Sequence, residues 1–229
     1  MADGFTTFSA SSAIDAAIAG RAMLSHPFYQ AWTNGQLSLV TLQEYAKQYF
    51  HHVEVFPMVV SAVHSRCPDP SGRRVLAENL AEEEGLTGPG KHDHATLWMH
   101  FAQGLGATPA EVRSVALNPE TQNLIDTFAR LSTRSYAAGL GALYAYESQL
   151  PEVSASKIAG LSGYGVTDER TIRFFRVHGE ADVEHSAVCR ELLDRLGPEE
   201  RADAIAAGEE LTEALWTFLS GVERTTGLH

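Results

Sequence analysis

The stretch of the 229-residue chain whose residue types speak most directly of chemistry is Phe174-Phe-Arg-Val-His178-Gly-Glu-Ala-Asp182-Val-Glu-His185. On a helix advancing about 100° per residue, Asp182 and His185 fall about +40° and −20° from His178, so the three share one face about 60° wide. Imidazole nitrogen together with carboxylate oxygen suits iron, manganese or zinc. The plain alternative is a solvated polar face with two chance histidines, and the chain's 10 histidines make such a coincidence easy. Glu180 and Glu184 fall away from this face and read as surface.

Carboxylates elsewhere could complete a ligand set. Glu147 closes Tyr144-Ala-Tyr146-Glu147 at the end of a stretch rich in Ala, Gly and Leu that starts at Tyr136. A charge on so apolar a helix is costly to bury unless it is paired or bound to metal; otherwise Glu147 lies past the buried part, near Pro151, and faces water. Glu82-Glu83-Glu84 ends another helical stretch. The macrodipole disfavours negative charge there, and an adjacent cation would offset the penalty; a solvated acidic run is the competing reading. His92, His94 and His100 follow, with His94 at a helix start, where a histidine is commonly a surface or capping group. Separate segments can thus deliver Glu, His, Glu and His-Asp-His to one cavity. A dinuclear iron or iron–manganese centre in a helical bundle requires such a carboxylate-rich set with three imidazoles, and it would bind dioxygen to make an oxidant that no side chain supplies.

The elements that must position these groups are helices. An Ala-rich segment predicts a helix over Ser12 to Met23, and Ser38 with Thr41-Leu-Gln-Glu predicts a capped start to one running toward Arg66. Pro57 falls inside that run, so a kink or two abutting helices are expected. After Cys67-Pro-Asp-Pro70, Ser71 to Glu84 reads as a helix stopped by Gly85, and a short loop holds Gly88-Pro89-Gly90. Helical spacing returns over His92 to Leu105, restarts at Thr108-Pro109 and again at Asn118-Pro119-Glu120, and reaches Leu150 with a division near Ser132. Pro151 is expected to end that stretch. A helix over Val153 to Leu161, breakers at Gly163 and Gly165, and helices over Asp168 to Leu196 and Pro198 to Glu223 complete the chain. Seven to nine helices with short connections and no strand signal predict an all-α bundle, one domain over residues 1–229.

Composition excludes several classes. With 17 Lys+Arg against 29 Asp+Glu, the net charge of −12 argues against nucleic acid as partner and against docking on anionic membranes. Hydrophobic residues at 44% and charged ones at 20% describe a globular chain, and no apolar run reaches the roughly 18 residues of a membrane span. The opening Met-Ala-Asp-Gly-Phe-Thr-Thr has no basic region ahead of an apolar one, so no signal peptide is expected. Two cysteines, Cys67 and Cys189, are too few for a disulfide scaffold, and neither sits in a nucleophile motif. A cytoplasmic, reducing compartment is the expectation.

These residues carry a resemblance. His26-Pro-Phe-Tyr29, Ala62-Val-His-Ser-Arg-Cys67, Asn79-Leu-Ala-Glu-Glu83-Glu, His94-Ala-Thr-Leu-Trp98, Ala142-Leu-Tyr-Ala-Tyr-Glu147-Ser-Gln-Leu-Pro151 and the His178 segment resemble the family of the chlamydial protein associating with death domains. That family lies within the haem-oxygenase-like, TenA-like and PqqC-like helical superfamily. The likeness runs from about Leu24 to Leu196. It implies a bundle of about seven main helices without haem, holding two transition-metal ions (Fe/Fe or Fe/Mn) on Glu83, His94, Glu147, His178, Asp182 and His185, with dioxygen as co-substrate. The loop between Glu83 and His94 is longer than in the chlamydial relative, which leaves Glu82 and His92 as competing ligands. The family is associated with making para-aminobenzoate for folate from a tyrosine of its own chain. By resemblance that tyrosine is Tyr29, the lysine implicated in supplying nitrogen is Lys157, and Tyr45 and Tyr146 are aromatic positions that could relay electrons. Taken alone, Tyr29 would be a packed aromatic with its hydroxyl at the rim, and Lys157 a surface lysine. His52 is a candidate to orient a ligand or a hydrogen-bonded core residue, and Cys189 a small core residue. The resemblance also implies a homodimer. The competing functions are oxidation of an external small molecule by the same metals, a metal-free oxidase or thiamine-salvage enzyme, and a protein-interaction module.

Overall fold

The architecture follows from helix starts that the chain caps almost one by one. A computed structural model describes residues 9–87 and 92–227; the N-terminal segment read for a signal peptide and the turn at Gly88-Pro89-Gly90 lie outside them. Among the described residues there are eleven α-helices, one 3-10 turn (Met23–Ser25) and no strand. Helix α1 spans Ala10–Gly20 and α2 Pro27–Thr33. Helix α3 spans Leu39–Arg66, α4 Pro70–Glu83 and α5 His94–Gly104. Helices α6 and α7 span Pro109–Ser114 and Pro119–Arg134. Then come α8 at Tyr136–Glu147, α9 at Leu150–Gly163, α10 at Glu169–Asp194 and α11 at Pro198–Thr226. Ser38, Asp69, Asp93, Thr108 and Asp168 each accept a backbone N–H of the turn they open, satisfying donors that have no partner within the helix.

Four departures from the sequence reading have physical causes. The chain forms more helices than the expected seven to nine, because α2 is too short to display a period, although His26 caps it through Nδ1 ahead of Pro27. Helix α3 runs through Pro57 as one element and not as two abutting helices; Phe56, Val59, Val60 and Val63 are buried around the interruption, and their packing compensates the lost hydrogen bond. The break expected near Ser132 falls at Ser135, whose extended backbone lets its hydroxyl accept from Ala138 N. Pro151 opens α9 instead of ending α8, since a missing N–H costs nothing in a first turn.

Helix α8 is the axis of the bundle. All its residues from Ala137 to Glu147 are buried, as befits a helix apolar on every side, and it packs against α11, α7, α10, α3 and α1. Glycine makes one of these contacts possible: a Cβ on Gly141 would overlap the carbonyl oxygen of Ala204 on α11. Gly141→Ala therefore forces the two backbones apart. It should cost about 1–3 kcal/mol of unfolding free energy, read as a lowered midpoint in chemical denaturation; an unchanged midpoint would mean the helices do not touch there.

Candidate metal centre

Four helices deliver six buried ligand-type side chains to the interior. Glu83 is the last residue of α4, His94 the first of α5 and Glu147 the last of α8, while His178, Asp182 and His185 line the inner face of α10. They fall into two groups, Glu83–His94–His178 and Glu147–Asp182–His185, and within each group one ligand atom per residue lies within 4.8 Å of the others. The α10 spacing serves both, His178 joining one group and Asp182 with His185 the other.

The donor atoms are arranged to share cations. His178 Nδ1 lies 2.8 Å from Phe174 O; a carbonyl only accepts, so Nδ1 carries the proton and Nε2 keeps its lone pair. Burial, then the neighbouring His94, holds this imidazole well below its ordinary pKa and hence neutral. His94 Nδ1 lies 2.6 Å from Glu83 Oε2 yet finds no aligned hydrogen bond, and Asp182 Oδ2 is likewise buried without a partner among the described residues. Nitrogen and oxygen this close without hydrogen-bond alignment suit two lone pairs directed at a common ion. The residues present therefore fit a pair of divalent cations.

Electrostatics gives the same picture from another side. Burial, reinforced by Asp182, pushes the Glu147 carboxyl up to about 7, and burial pushes Asp182 to about 6. Burial opposes a charge on His185, but Asp182 at 3.6 Å and the carboxylates of Glu147 and Glu82 outweigh it and raise the ring to about 9. His94 is raised on balance as well, burial being overcome by Glu83.

Of the competing ligands, Glu82 is part-exposed and touches only His185 among the six, its Oε2 being 3.3 Å from Nε2. His92 is exposed and sits against His100, with ring centroids 5.7 Å apart. Neither joins a group.

A second constellation lies beside the first. Lys157, only 3% exposed, donates through Nζ to the Tyr45 hydroxyl at 2.7 Å, and that hydroxyl pairs with the Tyr29 hydroxyl at 3.0 Å. Nζ is 5.2 Å from the Tyr29 ring centroid and 5.0 Å from that of Phe175. Desolvation in this aromatic cage holds the amine well below its ordinary pKa. Tyr29 is thus buried rather than at a rim, and Lys157 is no surface lysine. Tyr45 stacks on Tyr49 at 5.5 Å, and the Tyr49 and Tyr146 hydroxyls pair at 2.6 Å, linking this cage to the residue before Glu147. His52 is a core residue, but its ring packs on Phe128 and Tyr146 with no hydrogen-bond partner among the described residues. Cys189 does more than fill space, its Sγ lying 3.6 Å from Glu147 Oε2.

Two contributors escape sequence reasoning. Tyr49 is one more aromatic on a long helix, and Asn79, whose Nδ2 donates to Glu147 Oε1 at 2.8 Å, looks like an ordinary polar helix position. The available signals are that Asn79 precedes Glu83 by one turn, on the same face, and that it opens one of the segments carrying the resemblance, neither of which assigns it a partner.

Residues 43–217 match the family model described as iron-containing redox enzyme. The chain is 40% identical over 215 residues to the "4-aminobenzoate synthase" of Chlamydia pneumoniae, covering 93% of this chain and 94% of that one. Among solved structures it superposes on a TenA homolog from Pseudomonas syringae with TM-score 0.78 and 19% identity, over 95% and 96% of the two chains. A domain with a heme oxygenase-like fold from Shewanella denitrificans gives TM-score 0.71 and 18% identity, over 96% and 90%. No helix among the described residues is long and apolar enough to cross a membrane.

Cation binding at Glu147–Asp182–His185 must displace protons held at about 7, 6 and 9 respectively. Affinity should therefore rise with pH, about tenfold per unit between pH 7 and 9 where His185 alone is protonated, and more steeply below 7 where Glu147 also holds its proton. Titrating the stripped protein with Mn(II) at several pH values measures this; a flat profile would exclude these groups as ligands.

Proposed function

Because the chain belongs to the family of iron-containing redox enzymes and has their haem-oxygenase-like, TenA-like fold, we propose that it makes 4-aminobenzoate for folate synthesis, using dioxygen and the side chain of its own Tyr29. Iron, or iron with manganese, held by Glu83, His94, His178, Glu147, Asp182 and His185 would supply the activation of dioxygen. The observation that carries the proposal is the meeting of Tyr29 and Lys157 at one buried hydroxyl, that of Tyr45, which Tyr49 and Tyr146 link to Glu147 of the ligand groups.

The chemistry of the product makes sense of that meeting. A tyrosine side chain is a ring whose Cβ and phenolic oxygen stand para to each other, as do the carboxyl and amino groups of 4-aminobenzoate. Conversion requires cleavage of the Cα–Cβ bond, oxidation of Cβ to the carboxyl level with dioxygen as oxidant, and replacement of the phenolic oxygen by nitrogen. Lys157 supports the last requirement: its buried amine lies beside the Tyr29 ring, and desolvation favours its uncharged, nucleophilic form. Transfer of its nitrogen would form the ring C–N bond and break Nζ–Cε, with dioxygen as oxidant, Cε left as an aldehyde and the phenolic oxygen lost as water. Tyr45 orients both, accepting from Nζ and pairing with the Tyr29 hydroxyl. Phe28, Trp32, Trp98, Phe175 and Phe218 wall the cage against water.

In a strain lacking its usual 4-aminobenzoate enzymes, the parent chain should restore growth, and Tyr29→Phe, Lys157→Met and Asp182→Ala should not. Intact mass before and after aerobic iron loading should show loss at residue 29 together with conversion of the Lys157 amine. Protein labelled with [15N]lysine should release labelled product. Rescue by Tyr29→Phe, or turnover with an unaltered chain, would assign the metals an external substrate instead.

A further inference from the structure

The carboxylate of Glu147 ends a helix, where three side-chain torsions leave it free to swing and the macrodipole gives it no support. Two groups from other helices meet its two oxygens. Asn79, buried on α4, donates Nδ2–H to Oε1 at 2.8 Å. Cys189, one turn beyond His185 on α10, approaches Oε2 at 3.6 Å. The two are unequal: an amide N–H to an ionised carboxylate is a strong, directional bond, whereas a thiol is a weak donor. Residue type matters as much as distance. A lysine or arginine at position 79 would neutralise the carboxylate and compete with a cation, and an aspartate would repel it. An amide fixes the carboxylate's direction and leaves its charge for the ion.

We propose that Asn79 is a positioning residue for the Glu147–Asp182–His185 group, aiming the Glu147 carboxylate at a cation bound there. The proposal rests on reading the two groups as a metal pair, and its test separates the two ideas.

The full-length chain, stripped of metal, is titrated anaerobically with Mn(II), and free Mn(II) is followed by electron paramagnetic resonance. The parent should take up two equivalents. Asn79→Ala should weaken one of the two steps by about 10–100-fold and leave the other in place, the size usual for loss of a partner that orients a ligand. Asn79→Leu, which keeps the volume but cannot donate, should do the same with little loss of thermal stability, and Asn79→Gln should recover part of the affinity. Glu147→Gln should abolish the same step, and adding Asn79→Ala to it should change nothing more. If Glu147→Gln loses a step while both Asn79→Ala and Asn79→Leu keep it, the positioning role is wrong and the metal pair stands. Equal weakening of both steps by the Asn79 variants would mark a packing role and overturn the proposal. If Glu147→Gln itself retains both steps, the metal-pair reading falls and this inference with it.

Discussion

Three carboxylates and three imidazoles are buried together inside the bundle, and the rest of the structure answers to that burden. Removing a carboxylate from water costs several kcal/mol even after relaxation, and an interior charge persists only when something of opposite sign is close. The ion-pair partners of Glu83 and Asp182 are the histidines His94 and His185, and an imidazole that is protonated to neutralise a carboxylate has no lone pair left to lend a cation. Protons do the work while cations are absent, which is why Glu147 and Asp182 hold theirs up to about 7 and 6. A divalent ion does the same work better, because one ion meets several donors at once.

Helix geometry turns this burden into a two-site arrangement. Glu83, His94 and Glu147 stand at helix termini, where side chains project past the packed face and neighbouring helices can bring their ends together. Only α10 contributes from its middle. Seven residues from His178 to His185 advance about 10 Å along its axis, enough for the same face to serve one group with its first ligand and the other with its last two. Helix α8 complements it: lacking a polar side, it must run through the centre, and its single carboxylate therefore arrives where no solvent can screen it.

How much of this is legible in the sequence depends on whether the pattern that encodes it is local. The His178–Asp182–His185 face follows from helix periodicity alone, and the all-α class from repeated caps and apolar stripes. Glu147 was ambiguous because being buried or exposed is decided by what covers the end of α8, and that cover comes from α10 and α4. Lys157 was further out of reach. Ser156-Lys157-Ile158 reads as surface, and the residue is buried only because aromatics from α2, α3, α5 and α10 converge on its amine. The importance of Asn79 lies in a hydrogen bond across 68 positions of sequence, which no local pattern encodes. Glu83 and His94 needed both kinds of information: resemblance singled them out over Glu82 and His92, and only the packed chain shows which pair faces His178.

The cage around Lys157 bears on why such a site can be built at all. An enzyme that binds a diffusing substrate must leave an entrance and meets the cost of ordering that substrate at each turnover. Tyr29, Tyr45 and Lys157 are instead ordered once, when the chain folds, and the contacts that hold them are core contacts: Trp32 and Phe28 against Tyr45, and Tyr45 stacked on Tyr49. From there the Tyr49–Tyr146 hydroxyl pair leads to Glu147 without crossing solvent. These groups can therefore be packed as tightly as any interior, with an amine whose charge burial disfavours held against a phenol ring. Such packing would suit the proposed reaction, in which the chain is its own organic substrate, because only dioxygen has to enter and only a small aromatic product has to leave.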